Sequence, residues 1–105
     1  MINHTMLVSF ADPIADEDLD RYISDIGEAM TDTGVVRTFQ AQRHIPIAGE
    51  DAIPAFIATV VLQLGVNDEA DLAALFAAPR AGEVIHKWQA LHPYEVAWVN
   101  HEAMA

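Results

Sequence analysis

Few of the 105 residues could do familiar chemistry, and the histidines and carboxylates are the first to weigh. There is no cysteine, so thiol nucleophiles, thiolate metal sites and disulfides are excluded. The sequence has no G-x-S-x-G, no H-E-x-x-H and no Gly-rich phosphate loop, and its only lysine is Lys87. What remains is acid–base chemistry. Histidine titrates near neutral pH, and a neighbouring carboxylate can fix its tautomer and raise its basicity. The richest stretch is HKWQALHPYE, residues 86–95. His86 and His92 are six apart, which turns the two rings well off a common helix face, so they are not a metal-ligand pair. His86 lies beside Ile85 and either flanks a pocket or faces water. His92 precedes Pro93 and serves either function or the C-terminal dipole of a helix. Glu95 lies in a strand of Tyr, Val, Ala, Trp and Val. A carboxylate there is desolvated, which raises its pKa toward acid or base duty, unless it sits at the margin or pairs with Arg37 or Arg43. His44 ends a strand beside Arg43, at a pocket rim or in a solvated turn. The candidate catalytic residues are therefore His44, His86 and Glu95. Arg37 and Arg43 share a strand face and could clamp an anionic or carbonyl group, or form ordinary ion pairs. Tyr22, Trp88, Tyr94 and Trp98 could wall an aromatic-binding pocket or belong to the core. His4 and His101 sit near the ends of the first and last strands.

These residues are held by elements that the pattern of apolar residues sketches. Thr5–Phe10 reads as a strand bounded by Asp12-Pro13. Asp16 is placed to cap the following helix, with Glu17 and Asp18 in its first turn. Leu19, Tyr22, Ile23, Ile26 and Met30 recur at helical spacing, and Gly34 is a stop signal. Val35–Ile45 alternates with polar content on both sides, as an edge strand does, with Val35, Arg37, Phe39, Ala41 and Arg43 on one side. Residues 46–54 form a loop. Ala55–Leu64 is almost continuously apolar, as a central strand covered on both faces would be. Gly65 and Asn67-Asp68 turn the chain into a second helix with Leu72, Leu75 and Phe76 inward. Pro79 and Gly82 interrupt it before a further segment whose apolar face is Val84, Ile85, Trp88 and Leu91. Pro93 ends that segment, and Tyr94–Asn100 is the last strand. The order β-α-β-β-α-β predicts an α+β, ferredoxin-like domain over residues 1–105: a four-stranded antiparallel sheet with its helices on one face. MLVSFADPIADEDL and VVLQLGVNDEADL echo one another as strand, turn and acidic helix start, as the pseudo-repeated halves of such a fold do.

Charge and apolar patterning bound the partners. Sixteen acidic residues against five basic give a net charge of −11, which repels phosphate backbones and anionic membranes and argues against nucleic acid. No stretch approaches the roughly 18–20 apolar residues of a membrane span. The N-terminus MINHTMLVSF has no basic flank of the kind a signal peptide carries, so a cytoplasmic address follows by default. The strands are apolar on both sides: Met6 and Val8 oppose Leu7, Ile57, Thr59 and Val61 oppose Ala58, Val60 and Leu62, and Val96 and Trp98 oppose Ala97 and Val99. Two helices cover only one face. Each buried side chain of this kind is worth ~1.5–3 kcal/mol, so six or more left exposed would forfeit ~10 kcal/mol. A second copy, packed sheet against sheet with two-fold symmetry, is the expected cover.

A roughly 100-residue acidic β-α-β-β-α-β chain, apolar on both sheet faces, with FAAPRAGEVIHKW leading to HPYEVAWVN, resembles the dimeric α/β-barrel family. The resemblance spans the chain through element order rather than through a motif. The opening HTMLVSFADP and the length are most similar to the small RedY-like proteins of prodiginine (tripyrrole pigment) clusters. The resemblance implies a pocket in each protomer between helices and sheet. It also implies chemistry with no metal or organic cofactor: cyclisation, condensation, isomerisation, dehydration, or oxygenation of an electron-rich aromatic. Haem-degrading members use an asparagine–tryptophan–histidine set that this sequence does not match, although His86 lies on the second helical region, where a haem ligand would. Two readings stay open. One is an enzyme acting on a planar aromatic or pyrrolic intermediate; the other is a carrier or sensor that binds such a molecule without turning it over.

Overall fold

The computed structural model describes residues 1–104. Its elements are β1 (Ile2–Phe10), α1 (Asp16–Thr31), β2 (Val36–Arg43), β3 (Val60–Val66), α2 (Glu69–Phe76), α3 (Pro79–Leu91) and β4 (Tyr94–Glu102), with a 3-10 turn at Glu50–Ala52. The strands form one antiparallel sheet in the order β2-β3-β1-β4, so β1 and β3 are central and β2 is an edge, in the ferredoxin-like arrangement. The second helical region is two helices, giving β-α-β-β-α-α-β. The break falls at Ala78, which is extended because it precedes Pro79, while Pro79 opens α3 without needing its missing N–H. Gly82 does not interrupt the chain as expected; it lies inside α3.

Three other local expectations are corrected. The residue before α1 is Ala15, and Asp16 is the first helical residue rather than the cap. Asp16, Glu17 and Asp18 instead stabilise the positive end of the helix dipole from within the first turn. Asp68 does cap α2, its carboxylate accepting from the Asp71 N–H at 2.9 Å. The third strand begins at Val60, not Ala55, because the Phe10 N–H turns to the Thr59 hydroxyl (3.1 Å) and ladder pairing with β1 stops there. It runs on to Val66 through Gly65, where a Cβ would collide with the side chains of Thr38, Met1 and Asn3. A bulge between Val36 and Thr38 shifts the parity of β2, so Val36 is buried although Phe39 and Ala41 also pack against the core.

On the helix side of the sheet, Val8, Leu62, Leu64 and Val66 pack against Leu19, Tyr22, Ile26 and Met30 of α1, Leu72 and Leu75 of α2, and Trp88 of α3. Gly27 admits the Phe39 ring at the α1–β2 contact, since a Cβ there would lie 2.8 Å from Phe39 Cε1. Leu91, expected to face inward, is exposed at the end of α3. The opposite sheet face carries no helix, and Leu7 and Val99 are 47% and 55% exposed on it. Thr5, Gln63 and His101 hydrogen-bond to one another there, with Gln63 Nε2 donating to Thr5 Oγ1 at 3.0 Å and His101 Nε2 2.7 Å from the same oxygen.

Candidate functional site

Strand alternation puts His4, Met6 and Val8 of β1 on the helix side, and the register sets them opposite Asn100, Trp98 and Val96 of β4. Above these residues the helices do not close completely on the sheet. A cavity of ≈ 330 Å³ remains, walled by Tyr22, Ile26 and Met30 of α1, Leu75 and Phe76 of α2, and Ala81, Gly82, Ile85 and Gln89 of α3. Its mouth is marked by the lining residues that keep solvent contact, chiefly Phe76 and Trp98, each 53% exposed, together with Ile85 and Val96. Phe76 and Ile85, expected to face inward, are thus rim residues.

The polar groups of the cavity form two clusters. At one end His4, only 5% exposed, brings Nδ1 to 2.7 Å from Asn100 Oδ1. Its ring meets Phe76 edge-on (centroids 5.2 Å apart) and lies tilted against Trp98 (5.1 Å). With the Asn100 carbonyl accepting, Nδ1 carries the proton and Nε2 keeps its lone pair. Nε2 has no hydrogen-bond partner among the described residues, and no buried nitrogen or oxygen is sealed without one, so Nε2 stays accessible. Burial lowers the His4 pKa below 6.5, and the Asn100 bond opposes that only in part. The ring is therefore a neutral base at pH 7.

At the other end Tyr22 and Tyr94 meet edge to face (5.5 Å) within a cluster that includes Phe10 and Trp88. Burial, and secondarily the Tyr94 phenol beside it, pushes the Tyr22 hydroxyl far above the ordinary phenol range. Burial also raises Tyr94, against hydrogen bonds with Tyr22 and Gln89 that pull the other way. Both remain O–H donors throughout the neutral range. The Gln89 amide fixes the start of β4, accepting from the Tyr94 N–H (3.1 Å) and donating to the Tyr94 carbonyl (3.0 Å).

Of the residues singled out from the sequence, the cavity brings together Tyr22, Tyr94 and Trp98. Trp88 lies just behind its wall, edge-on to Tyr22 at 5.6 Å, and its Nε1–H donates to Asp25 Oδ2 at 3.0 Å, which ties α3 to α1. His92 stacks on Trp88 at 5.9 Å. The other candidates lie elsewhere. His86 is exposed on α3, outside the lining. Glu95 follows Tyr94 in β4, so alternation sends it to the helix-free face, where it is exposed. His44 Nε2 lies 2.8 Å from Glu50 Oε1, and Glu50 also accepts from the Ile47 N–H, a contact set that closes the loop after β2. Arg43 pairs with Asp16 and Asp20 on the outer surface of α1, and Arg37 donates to the Gly34 carbonyl. His4, Asn100 and Gln89 were missed. The available signal was a histidine sharing parity with Met6 and Val8 in an apolar strand. Among the described residues no group of three or more His, Asp or Glu could hold a metal ion, and no helix is long and apolar enough to cross a membrane.

No family model matches the chain, and no curated protein matches it in sequence. Solved structures match it in fold at low identity. A DABB-family protein with a ferredoxin-like fold from Mesorhizobium loti is 12% identical with TM-score 0.76, over 99% of this chain and 97% of that one. The hydroxynitrile lyase of Passiflora edulis is 17% identical with TM-score 0.76, over 99% and 96%. HapK from Hahella chejuensis is 15% identical with TM-score 0.73, over 100% and 94%. A Thermobifida fusca structure (10% identity, TM-score 0.74, over 97% and 90%) is described as a dimeric ferredoxin-like protein. The structural neighbours of this chain are thus ferredoxin-like proteins, a DABB-family member and dimers among them.

Proposed function

We propose that the protein is a small enzyme whose own side chains supply acid–base chemistry to a planar aromatic or pyrrolic intermediate of secondary metabolism. The reaction class is cyclisation, condensation or dehydration, of the kind used in assembling prodiginine pigments. The observation that carries this reading is His4: a neutral imidazole, its tautomer set by Asn100, with an accessible Nε2 in a cavity whose lining is otherwise apolar apart from Tyr22, Tyr94 and Gln89. A base so placed removes a proton from a bound carbon or oxygen acid without first losing a hydration shell, and positioned proton transfer contributes roughly 10²–10⁴ in rate. The apolar walls suit a flat hydrocarbon framework, and at interior packing density the cavity takes roughly a dozen non-hydrogen atoms. Shared fold with HapK and with a hydroxynitrile lyase supports the scaffold as one that hosts small-molecule chemistry. The same proposal has the protein act as a cytoplasmic homodimer joined through the helix-free faces, where Leu7 and Val99 are exposed.

The test is the Kemp elimination of 5-nitrobenzisoxazole, a neutral planar probe. A base takes the C3 proton while the N–O bond breaks, and the released 2-cyano-4-nitrophenolate absorbs visible light. The wild type should accelerate the reaction, with kcat/KM rising as His4 loses its proton, and His4→Gln should lose about 10²-fold or more. Turnover retained in His4→Gln would refute the assignment. Probe binding with no turnover by the wild type would overturn it in favour of a carrier.

A further inference from the structure

The register of β1 and β4 separates the two polar ends of the cavity. His4 pairs with Asn100, whereas Phe10, next to Tyr22 and Tyr94, pairs with Tyr94, six residues farther along each strand. At ~3.3 Å per residue the two positions are roughly 20 Å apart along the backbone. The aromatic contacts show the same division. His4 touches Phe76 and Trp98, Tyr22 touches Phe10, Tyr94 and Trp88, and no ring contact joins the two sets. Between them the wall is Met6, Val8, Leu62 and Val96. The imidazole and the phenols therefore do not converge on one atom.

From this we infer that the natural ligand is an elongated, uncharged, flat molecule that is polar at both ends. It rests on the acid–base reading above and names the substrate class for the same cavity. One end carries a hydroxyl or carbonyl oxygen that accepts from the Tyr22 or Tyr94 hydroxyl in the closed end of the cavity. The other presents its acidic C–H or O–H to His4 Nε2 beneath Phe76 and Trp98. Charge is excluded by the lining itself, which contains no Asp, Glu, Lys or Arg. A carboxylate placed there would lose its water without gaining a counter-ion, in a protein whose net charge of −11 already repels anions. A molecule with a single polar end would leave one set of donors or acceptors unmatched.

Three naphthalenes of nearly equal size test this by quenching of tryptophan fluorescence and by NMR titration of the His4 ring. 6-Hydroxy-2-acetylnaphthalene is neutral and polar at both ends, 2-acetylnaphthalene is polar at one end, and 6-hydroxy-2-naphthoate is polar at both ends but anionic. At pH 7 the hydroxyketone should bind roughly three- to tenfold more tightly than the ketone, the range of one added hydrogen bond. It should bind about a hundredfold more tightly than the acid, whose charge would be buried unpaired. Tyr94→Phe, and separately Tyr22→Phe, should weaken both neutral ketones, whose shared carbonyl accepts from these phenols; the wild-type series stands alone if either variant folds poorly. Equal binding of hydroxyketone and ketone would overturn the two-ended ligand, and tight binding of the acid would overturn the neutral one. Either result leaves His4-dependent Kemp turnover intact, whereas failure of the acid–base reading appears as turnover that survives His4→Gln.

Discussion

Gly82 is where the cavity can be filled from its own wall. It sits in the first turns of α3 with ordinary helical geometry, lines the cavity, and a Cβ built on it meets nothing within 4 Å. Two effects therefore add on substitution. Gly82→Ala removes the backbone-entropy penalty of a helical glycine and should stabilise by about 1 kcal/mol. Gly82→Leu keeps that gain and adds burial of an isobutyl group. Full burial of a leucine is worth ~1.5–3 kcal/mol, and at this open rim about half of that is realised. The total is about 2 kcal/mol, or roughly 8–16 °C in Tm for a domain near 100 residues. The four side-chain carbons of leucine would also take roughly a third of the space available to a ligand at interior packing density. Gly82→Leu should thus melt higher than the wild type and bind 6-hydroxy-2-acetylnaphthalene at least tenfold more weakly, whereas Gly82→Ala should stabilise and leave most of the binding. Thermal melts followed by circular dichroism, with ligand titrations on the same samples, read both quantities. The reasoning fails if Gly82→Leu is less stable than Gly82→Ala by more than about 1 kcal/mol, the signature of overpacking. It fails equally if Gly82→Leu binds ligand as the wild type does.

Four further outcomes follow from contacts already described. Because burial depresses the His4 pKa, the unfolded chain binds the extra proton first as pH falls. The stability due to neutral His4 is complete above pH 6.5 and declines as pH drops toward the folded-state value, so wild type should gain more than His4→Gln between pH 5 and 7.5 in urea unfolding. Trp88→Phe removes the 3.0 Å bond to the partly exposed Asp25 and should cost about 1 kcal/mol by the same assay, with the α1–α3 contact loosened in hydrogen exchange. Gly27→Ala drives a Cβ to within 2.8 Å of the Phe39 ring and should cost ~1–3 kcal/mol, with partial rescue by Phe39→Leu. Leu7→Glu with Val99→Glu places charges on the helix-free face, and light scattering should then report the 11.5 kDa monomer, whereas the proposal has the wild type run as a dimer.

The fold was legible because its strongest signals are local. Of the α1 stripe, Leu19, Tyr22, Ile26 and Met30 are buried as read and Ile23 is partly buried, and Gly34 stops the helix with φ of 81°. Pro93 ends α3 for the steric reason that makes proline a boundary in any chain. Misreadings fell where tertiary contacts decide the outcome. Ala55–Ala58 looks like strand by composition, but its ladder partner has run out, because the Thr59 hydroxyl occupies the Phe10 N–H. Gly65 looks like a turn, yet it is the one residue whose backbone can pass between Thr38, Met1 and Asn3. The bulge in β2 reverses the parity that a regular alternation implies.

For the site, the deciding variable was parity in β4 and its register against β1. Tyr94, Val96 and Trp98 point into the cavity and Glu95, Ala97 and Val99 point away, so a one-residue step separates a cavity wall from the helix-free face. Glu95 is a carboxylate in an apolar strand, but its own face carries no helix, so only a second copy packed there would desolvate it. His4 obeys the same rule in the opposite sense. It shares parity with Met6 and Val8, and once the structure sets that face under the helices the same parity buries the imidazole. What sequence order could not supply was its partner, because Asn100 lies ninety-six residues away and reaches His4 only through the antiparallel pairing of the first and last strands. The proposed site thus draws its polar pair from opposite ends of the chain, which spacing within a stretch such as HKWQALHPYE does not display. The pair on which the proposal rests, His4 with Asn100, is found by asking which polar side chains share the covered face of β1 and β4.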